Sequence, residues 1–342
     1  MLPAFTSYAK MKLLSVTNKG LFCKQANIYI DPWHPVDRAI ITHAHSDHAR
    51  SGMGHYWCHW NSIPVLKMRT GASMNVTGLA YDEVMEVNGV HISLHPAGHI
   101  IGSAQIRLEY QGEVWVFTGD YKLAPDGVSE PFQLVKCNHF ITESTFGLPI
   151  YQFPSVFDVY EDINQWWKHN QRQNLNTVLL AYSLGKAQNI LKHLDTNIGP
   201  IYLHGAVDNV NQALREVGYQ FEGERIQSDT DRDKIKGALI IAPPSAAETP
   251  WVKKLRPYKI AMCSGWMQLR GARRRRGVDQ GFILSDHCDW VQLNEAIIQT
   301  GARNVYVTHG YETVFARWVH EHYDIKATVL KTLFNEEMEG DE

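Results

Sequence analysis

The chain has 342 residues, 44% of them hydrophobic and 20% charged, with 33 Lys and Arg against 36 Asp and Glu for a formal net charge of −3. That length supports one large domain or two ordinary ones, each with its own core, and excludes a small module that needs covalent or metal staples. A charge this near zero excludes blanket electrostatic attraction to nucleic acid or membrane and leaves only local patches open.

The first elements read as sheet. Residues 26–31 (ANIYID) and 38–42 (RAIIT) are short β-branched runs bounded by Asp-Pro, proline and histidine clusters, the pattern of buried strands. Further strands are predicted at 91–95, 103–110, 113–118 and 138–142, with Gln111-Gly112 turning a hairpin between 103–110 and 113–118. The character changes after Phe146. Helical spacing of Val156, Val159, Tyr160, Ile163, Trp166 and Trp167 predicts a helix over 155–173, followed by a buried strand at 177–182 and a helix at 185–194. Strand 200–204, helix 207–217 and strands 238–242 and 258–263 continue the alternation, which indicates a parallel sheet with helices on its faces. Residues 282–298 read as a strand end and a helix, 304–310 as a strand carrying a terminal histidine, and 336–342 as a frayed acidic tail.

The five cysteines (Cys23, Cys58, Cys137, Cys263, Cys288) are odd in number and form no Cys-x-x-Cys pair, so neither a disulfide framework nor a zinc ribbon is indicated. With no leader pattern and no apolar run of about 18 residues, a cytoplasmic protein without membrane association is expected.

Histidine is overused, at 17 residues. His43, His45, Asp47 and His48 crowd into six positions directly after the strand 38–42. If the loop opens into a helix, His43 and His45 point to one side while Asp47 and His48 approach from the helix start. Imidazole and carboxylate are the donors that borderline divalent metals prefer. His99, Asp120 and His309 each sit at the tip of a predicted strand, where sheets of this kind assemble sites.

In order and context these residues resemble the ligand motifs of the metallo-β-lactamase fold. The resemblance implies an α/β architecture, an αβ/βα sandwich, and makes Asp31 the acidic residue that orients the ligand loop, with Asp37 its rival. Thr142-Glu143-Ser144-Thr145-Phe146-Gly147, Leu284-Ser285-Asp286-His287-Cys288-Asp289 and the long stretch between them resemble the motifs of the β-CASP nuclease branch. That branch implies a discontinuous core, 1–148 with 282–335, a cap at 149–281 and the tail beyond. Compact size and Ser-Leu-Gly-Lys-Ala-Gln (183–188) are most similar to bacterial DNA-ligase-associated exonucleases. A DNA exonuclease of DNA repair is the first expectation, in functional association with a ligase and a helicase. His309 matches the RNA-cleaving relatives, so an RNA nuclease of the RNase J or messenger-RNA 3′-end type is the alternative. A catalytically silent nucleic-acid-binding scaffold and a thioesterase-like hydrolase are weaker ones.

The resemblance further implies two zinc ions, with manganese as another activating metal. His43, His45 and His99 would hold one, Asp47, His48 and His309 the other, and Asp120 would be shared. Asp47 would aim the attacking water, and His287 would act as general acid oriented by Glu143. Local charge supports a polyanionic substrate. No acidic residue lies between Glu248 and Asp279, while Arg273, Arg274, Arg275 and Arg276 form a run suited to phosphate contacts. Trp251, Trp266 and Trp290 are read as core rather than as base-stacking platforms. Gly185-Lys186 lacks the spacing of an NTP loop.

Overall fold

The computed structural model describes residues 13–332 apart from Arg232, Arg270, Ala272, Arg273 and Arg275. Short runs rich in branched and aromatic side chains, broken by turns, build three sheets. The first contains β1 (Leu14–Val16), β2 (Leu21–Cys23), β3 (Ile28–Ile30), β4 (Arg38–Ile40), β5 (His55–His59) and β6 (Val76–Leu79), side by side in that order. Pairing is antiparallel from β1 to β3 and parallel from β3 to β6, with helix α1 (Ile63–Thr70) between β5 and β6.

The second sheet starts as an antiparallel meander of β7 (Val84–Val87), β8 (Val90–Pro96), β9 (Ala104–Tyr110) and β10 (Glu113–Phe117), and β11 (His139–Ser144) joins parallel to β10. The predicted hairpin turn is present, with Gln111 and Gly112 both left-handed at φ 51° and 77°, as a tight turn matched to strand twist requires.

The chain then builds the third sheet from β12 (Asn176–Leu180), β13 (Ile201–Leu203), β14 (Glu224–Arg225), β15 (Leu239–Ala242), β16 (Tyr258–Cys263) and β17 (Gln280–Phe282). Every pairing is parallel, in the order β14-β13-β15-β12-β16-β17. Helices α2 (Val156–Arg172), α3 (Lys186–His193), α4 (Gly205–Arg215) and α5 (Pro250–Lys253) alternate with these strands. α4 begins two residues before the predicted start because His204 caps it, its Nδ1 accepting from Ala206 N–H at 3.1 Å. The chain returns through α6 (Trp290–Thr300) to β18 (Asn304–Gly310), which lies beside β11, then α7 (Glu312–Tyr323) and the edge strand β19 (Lys326–Val329).

Side-chain alternation assigns the faces. Ile28, Ile30 and Ile40 of the first sheet meet Ile92, Leu94, Ile106 and Phe117 of the second in one core. The outward residues Ala39, Ile41 and Cys58 pack on Val65 and Leu66 of α1, and Val116, Phe140 and Val305 pack on Ile297, Phe315 and Val319 of α6 and α7. The result is the expected αβ/βα sandwich. The third sheet is covered on both faces, as parallel sheets are: Leu179 and Ile241 face Ile163, Trp167 and Ile190, while Val178 and Ile240 face Val252 and Leu255. Val210 and Leu214 of α4 enter the same core as Val65 and Leu66 of α1, so the third-sheet unit is fastened to the sandwich by shared apolar packing. No described helix is long and apolar enough to cross a membrane.

Trp167 is fully buried and its Nε1–H donates to the Gly237 carbonyl at 2.9 Å. Trp167→Ala is expected to cost about 3–5 kcal/mol of stability, read from the denaturant midpoint of the full chain.

Candidate active site

β3 and β4 deliver the chain into the histidine-rich loop, where His43, His45, Asp47 and His48 are all buried. The loop does not open into a helix as expected. His48 and Ala49 N–H both donate to the His45 carbonyl, at 3.2 and 2.8 Å, and this single turn ends at Gly52, with φ 92°, before β5. Asp31, left-handed at φ 40° just after β3, ties the loop down. Its Oδ1 accepts from Thr42 N–H at 2.8 Å, and its Oδ2 accepts from Thr42 Oγ1 at 2.6 Å and from His48 Nδ1 at 2.7 Å. Asp37, the rival, is exposed.

His99, Asp120 and His309 converge on this loop from the ends of β8, β10 and β18. Two glycines make the approach possible. Gly98 has φ 75°, and a Cβ there would collide with the Lys122 carbonyl; Gly119 has φ 56°, and a Cβ there would stand 2.6 Å from Thr42 Oγ1. His309 itself is left-handed at φ 57°, a strained backbone of the kind that persists where surrounding structure enforces it.

The seven side chains form two adjoining groups. His43, His45, His99 and Asp120 make one, Asp47, His48 and His309 the other, with the donor atoms of each group within 4.8 Å of one another. Asp120 touches both: its Oδ2 lies 3.4 Å from His43 Nε2 and its Oδ1 3.6 Å from His48 Nε2 and 3.5 Å from His309 Nδ1. The far ring nitrogens are anchored elsewhere. His43 Nδ1 meets Thr42 Oγ1 at 3.0 Å, His45 Nε2 donates to Leu184 O at 3.3 Å, and His99 Nδ1 donates to Asp286 O at 2.8 Å. Such anchoring fixes ring orientation and aims the remaining nitrogen inward.

Inside the groups, His43 Nε2, both Asp47 oxygens, Asp120 Oδ1 and His309 Nδ1 are buried without a hydrogen-bond partner. Buried polar atoms are rarely left so, because each forfeits its hydration. Imidazole and carboxylate donors satisfied by a divalent cation resolve the deficit, so the residues fit a metal.

Electrostatics divides the two groups. Burial lowers the pKa of His43 and holds His99 down at about 3. For His48, burial is outweighed by the carboxylates of Asp47, Asp120 and Asp31, which push it up to about 10. His309 is raised as well, because its contact with Asp120 overcomes burial. Asp120 stays far below the usual carboxylate range despite burial, held there by His48 and His287 and by its contacts with His309 and His43.

Glu143, on β11, accepts from Tyr121 N–H at 2.8 Å and from the Thr145 hydroxyl, and holds His287 Nδ1 at 2.9 Å. Burial would depress His287, but Glu143 and Asp120 outweigh it and raise its pKa to about 10. The His287 ring stands 4.7 Å from that of His99, beside a cavity of about 110 Å³ that Lys186, Trp266 and His309 also line. Trp266 is therefore not simply core: it faces this cavity, whereas Trp251 and Trp290 pack, partly buried, against the clusters beneath them. Arg274 and Arg276 are exposed, and Arg273 and Arg275 lie outside the described residues.

Two lysines take buried places that the sequence reading does not assign, although it names Lys186 within the run 183–188. Lys186, which opens α3, is almost fully buried and pairs with Asp286 Oδ1 at 3.1 Å. Lys122, two positions after Asp120, is 3% exposed. A lysine is an unlikely core residue on composition grounds, so neither position advertises itself.

No family model matches the chain. It is 31% identical over 305 residues to a probable DNA ligase of Opitutus terrae, covering 88% of this chain and 30% of that protein. It is 23% identical over 296 residues to the endoribonuclease ysh1 of Schizosaccharomyces pombe, covering 71% of this chain and 39% of that protein. The chain thus spans about a third of the length of these curated relatives. A crystal structure of a protein of unknown function from Enterococcus faecalis V583 shares the fold, with a TM-score of 0.58 at 12% identity over 89% of this chain and 80% of that one. The buried donor groups at the strand ends, the sandwich interrupted by a parallel sheet, and these relatives bear out the resemblance to the metallo-β-lactamase fold and its β-CASP branch.

Proposed function

We propose that the chain is a metal-dependent nuclease and, more finely, a DNA exonuclease of DNA repair. The observation that carries the reading is the juxtaposition of two buried donor groups around Asp120 with the Glu143–His287 pair beside an open cavity. His43, His45 and His99 would hold one zinc or manganese ion, Asp47, His48 and His309 a second, with Asp120 common to both. Bound there, such ions supply Lewis acidity, which acidifies a water and neutralises phosphoryl oxygens.

The chain's own residues do the rest. Asp47, with no other hydrogen-bond partner for either oxygen, accepts from and aims the attacking water. His287 carries the proton that the leaving oxygen needs; Glu143 holds its Nδ1, keeps it charged and leaves Nε2 to donate. In this reading 149–281 is the cap that walls the cleft, and the arginines at 273–276 contact phosphates beyond it.

DNA is favoured because the relative covering 88% of this chain is named a DNA ligase, and the chain's match takes up only 30% of it. A segment like this chain therefore sits in one polypeptide with a protein so named, which supports association with a ligase. RNA is the second reading, favoured by the relative named an endoribonuclease and by His309 within the donor groups.

Incubation with end-labelled single-stranded DNA or RNA, labelled at either end and supplied with zinc or manganese, is expected to release mononucleotides from DNA. Rapid RNA cleavage with none from DNA would overturn the finer reading, and tight metal binding with no cleavage of any polymer would overturn the coarser one. His287→Ala is expected to lower kcat by about 10²–10⁴-fold while metal content by elemental analysis stays unchanged.

Metal loading is expected to be asymmetric. A metal must displace any proton on its ligand, so uptake strengthens with pH up to the ligand's pKa. His43 and His99 are already neutral at pH 7, whereas His48 keeps its proton until about pH 10 and His309 is shifted the same way. Calorimetric titration of the metal-free chain in buffers of differing ionisation enthalpy is expected to give one loading step without proton release and a second that releases protons and weakens as pH falls.

A further inference from the structure

A second cavity, of about 280 Å³, lies on the other side of Ser285 and His287 from the one that Trp266 lines. It touches none of the seven donor residues, and its wall combines two cationic features. The first is the start of α2, a helix of 17 residues, where Ser155, Val156 and Phe157 line the cavity. The Ser155 side chain makes no capping hydrogen bond, so the first-turn N–H groups are not satisfied by it, and the positive end of the helix dipole is turned to this space. The second is Lys122, which lines the same cavity. It is 3% exposed, its Nζ has no hydrogen-bond partner, and it forms no ion pair among the described residues.

Of the nearby carboxylates, Asp286 pairs through Oδ1 with Lys186 and keeps a buried Oδ2 without a hydrogen-bond partner, both oxygens of Asp126 accept from Ser129, with Val128 N–H and Asn189 Nδ2 as further donors, and Asp158 in the first turn of α2 is exposed to solvent. A buried ammonium without a partner, next to an uncapped helix start, is an anion site by charge and by hydrogen-bond supply. Phe157, 57% exposed, stands at the same wall and offers an aromatic face.

We propose that this cavity is a phosphate subsite that holds a backbone phosphate adjacent to the scissile one, with Lys122 and the first turn of α2 as its ligands. The inference rests on the nuclease reading and extends it. The substrate is then gripped on both flanks of His287, which makes a chain of at least two phosphates the preferred ligand over a single phosphodiester.

The test uses the full chain as isolated and a labelled single-stranded oligonucleotide with a cleavage-resistant phosphorothioate backbone. Fluorescence anisotropy gives affinity as a function of salt. Lys122→Met removes the charge, and Ser155→Asp places a carboxylate at a position where it supports the helix but repels a phosphate. Both are expected to weaken binding about tenfold, and Lys122→Met to flatten the plot of log affinity against log salt by about 0.7, the share of one single-strand phosphate contact. A purely structural role for Lys122 would leave that slope unchanged. Because Ser155 is exposed, the second variant keeps the test open should the first fail to fold. Unchanged affinity and slope in the folded variants, with normal wild-type binding, would overturn the subsite alone. Absence of any wild-type binding would overturn the nuclease reading and this site with it.

Discussion

A single carboxylate, Asp120, stands between four imidazoles. Its two oxygens face His43 and His99 on one side and His48 and His309 on the other, in a space from which bulk water is excluded. In such surroundings one negative charge shifts every neighbouring equilibrium, and its pull on His48 and His309 contrasts with the neutral state of His43 and His99. The neighbouring backbone serves the placement of that group. Gly119 lets the chain pass close to Thr42, and Thr42 in turn bridges Asp31 and His43.

The site is built from both halves of the molecule. His99 leans on the Asp286 carbonyl and His45 on the Leu184 carbonyl, residues far along the chain from the ligand loop. Lys186 on α3 clamps the Asp286 side chain, so the loop that carries His287 is fixed by the third-sheet unit rather than by the sandwich alone. His287 and the two donor groups thus share one framework, although 139 residues separate His45 from Leu184 and 187 separate His99 from Asp286.

The donor set was legible because four candidate donor residues crowd into six positions and the remaining three sit where apolar runs stop. The strands of the third sheet were legible for a similar reason: TVLLAY at 177–182 is a continuous apolar run, and YKIAMC at 258–263 ends in one, Ala261–Cys263, that is buried. Short strands were not. HYWCH in β5 and VTGL in β6 mix polar, small and aromatic residues, and their identity as strands comes from pairing, β5 with β4 and β6 with β5, rather than from their own pattern. The turn after His45 was misjudged as a helix start, since Gly52 and Gly54 stop it after one turn. The burial of Lys122 and Lys186 was invisible because it is a property of the assembled fold.

The joint between α1 and α4 has a further consequence. Val210 and Leu214 complete the apolar cover over Ala39, Ile41, Val65 and Leu66. Without α4 that cover would be lost and an apolar face of the sandwich would meet water, so the third-sheet unit contributes to the stability of the sandwich as well as to its own.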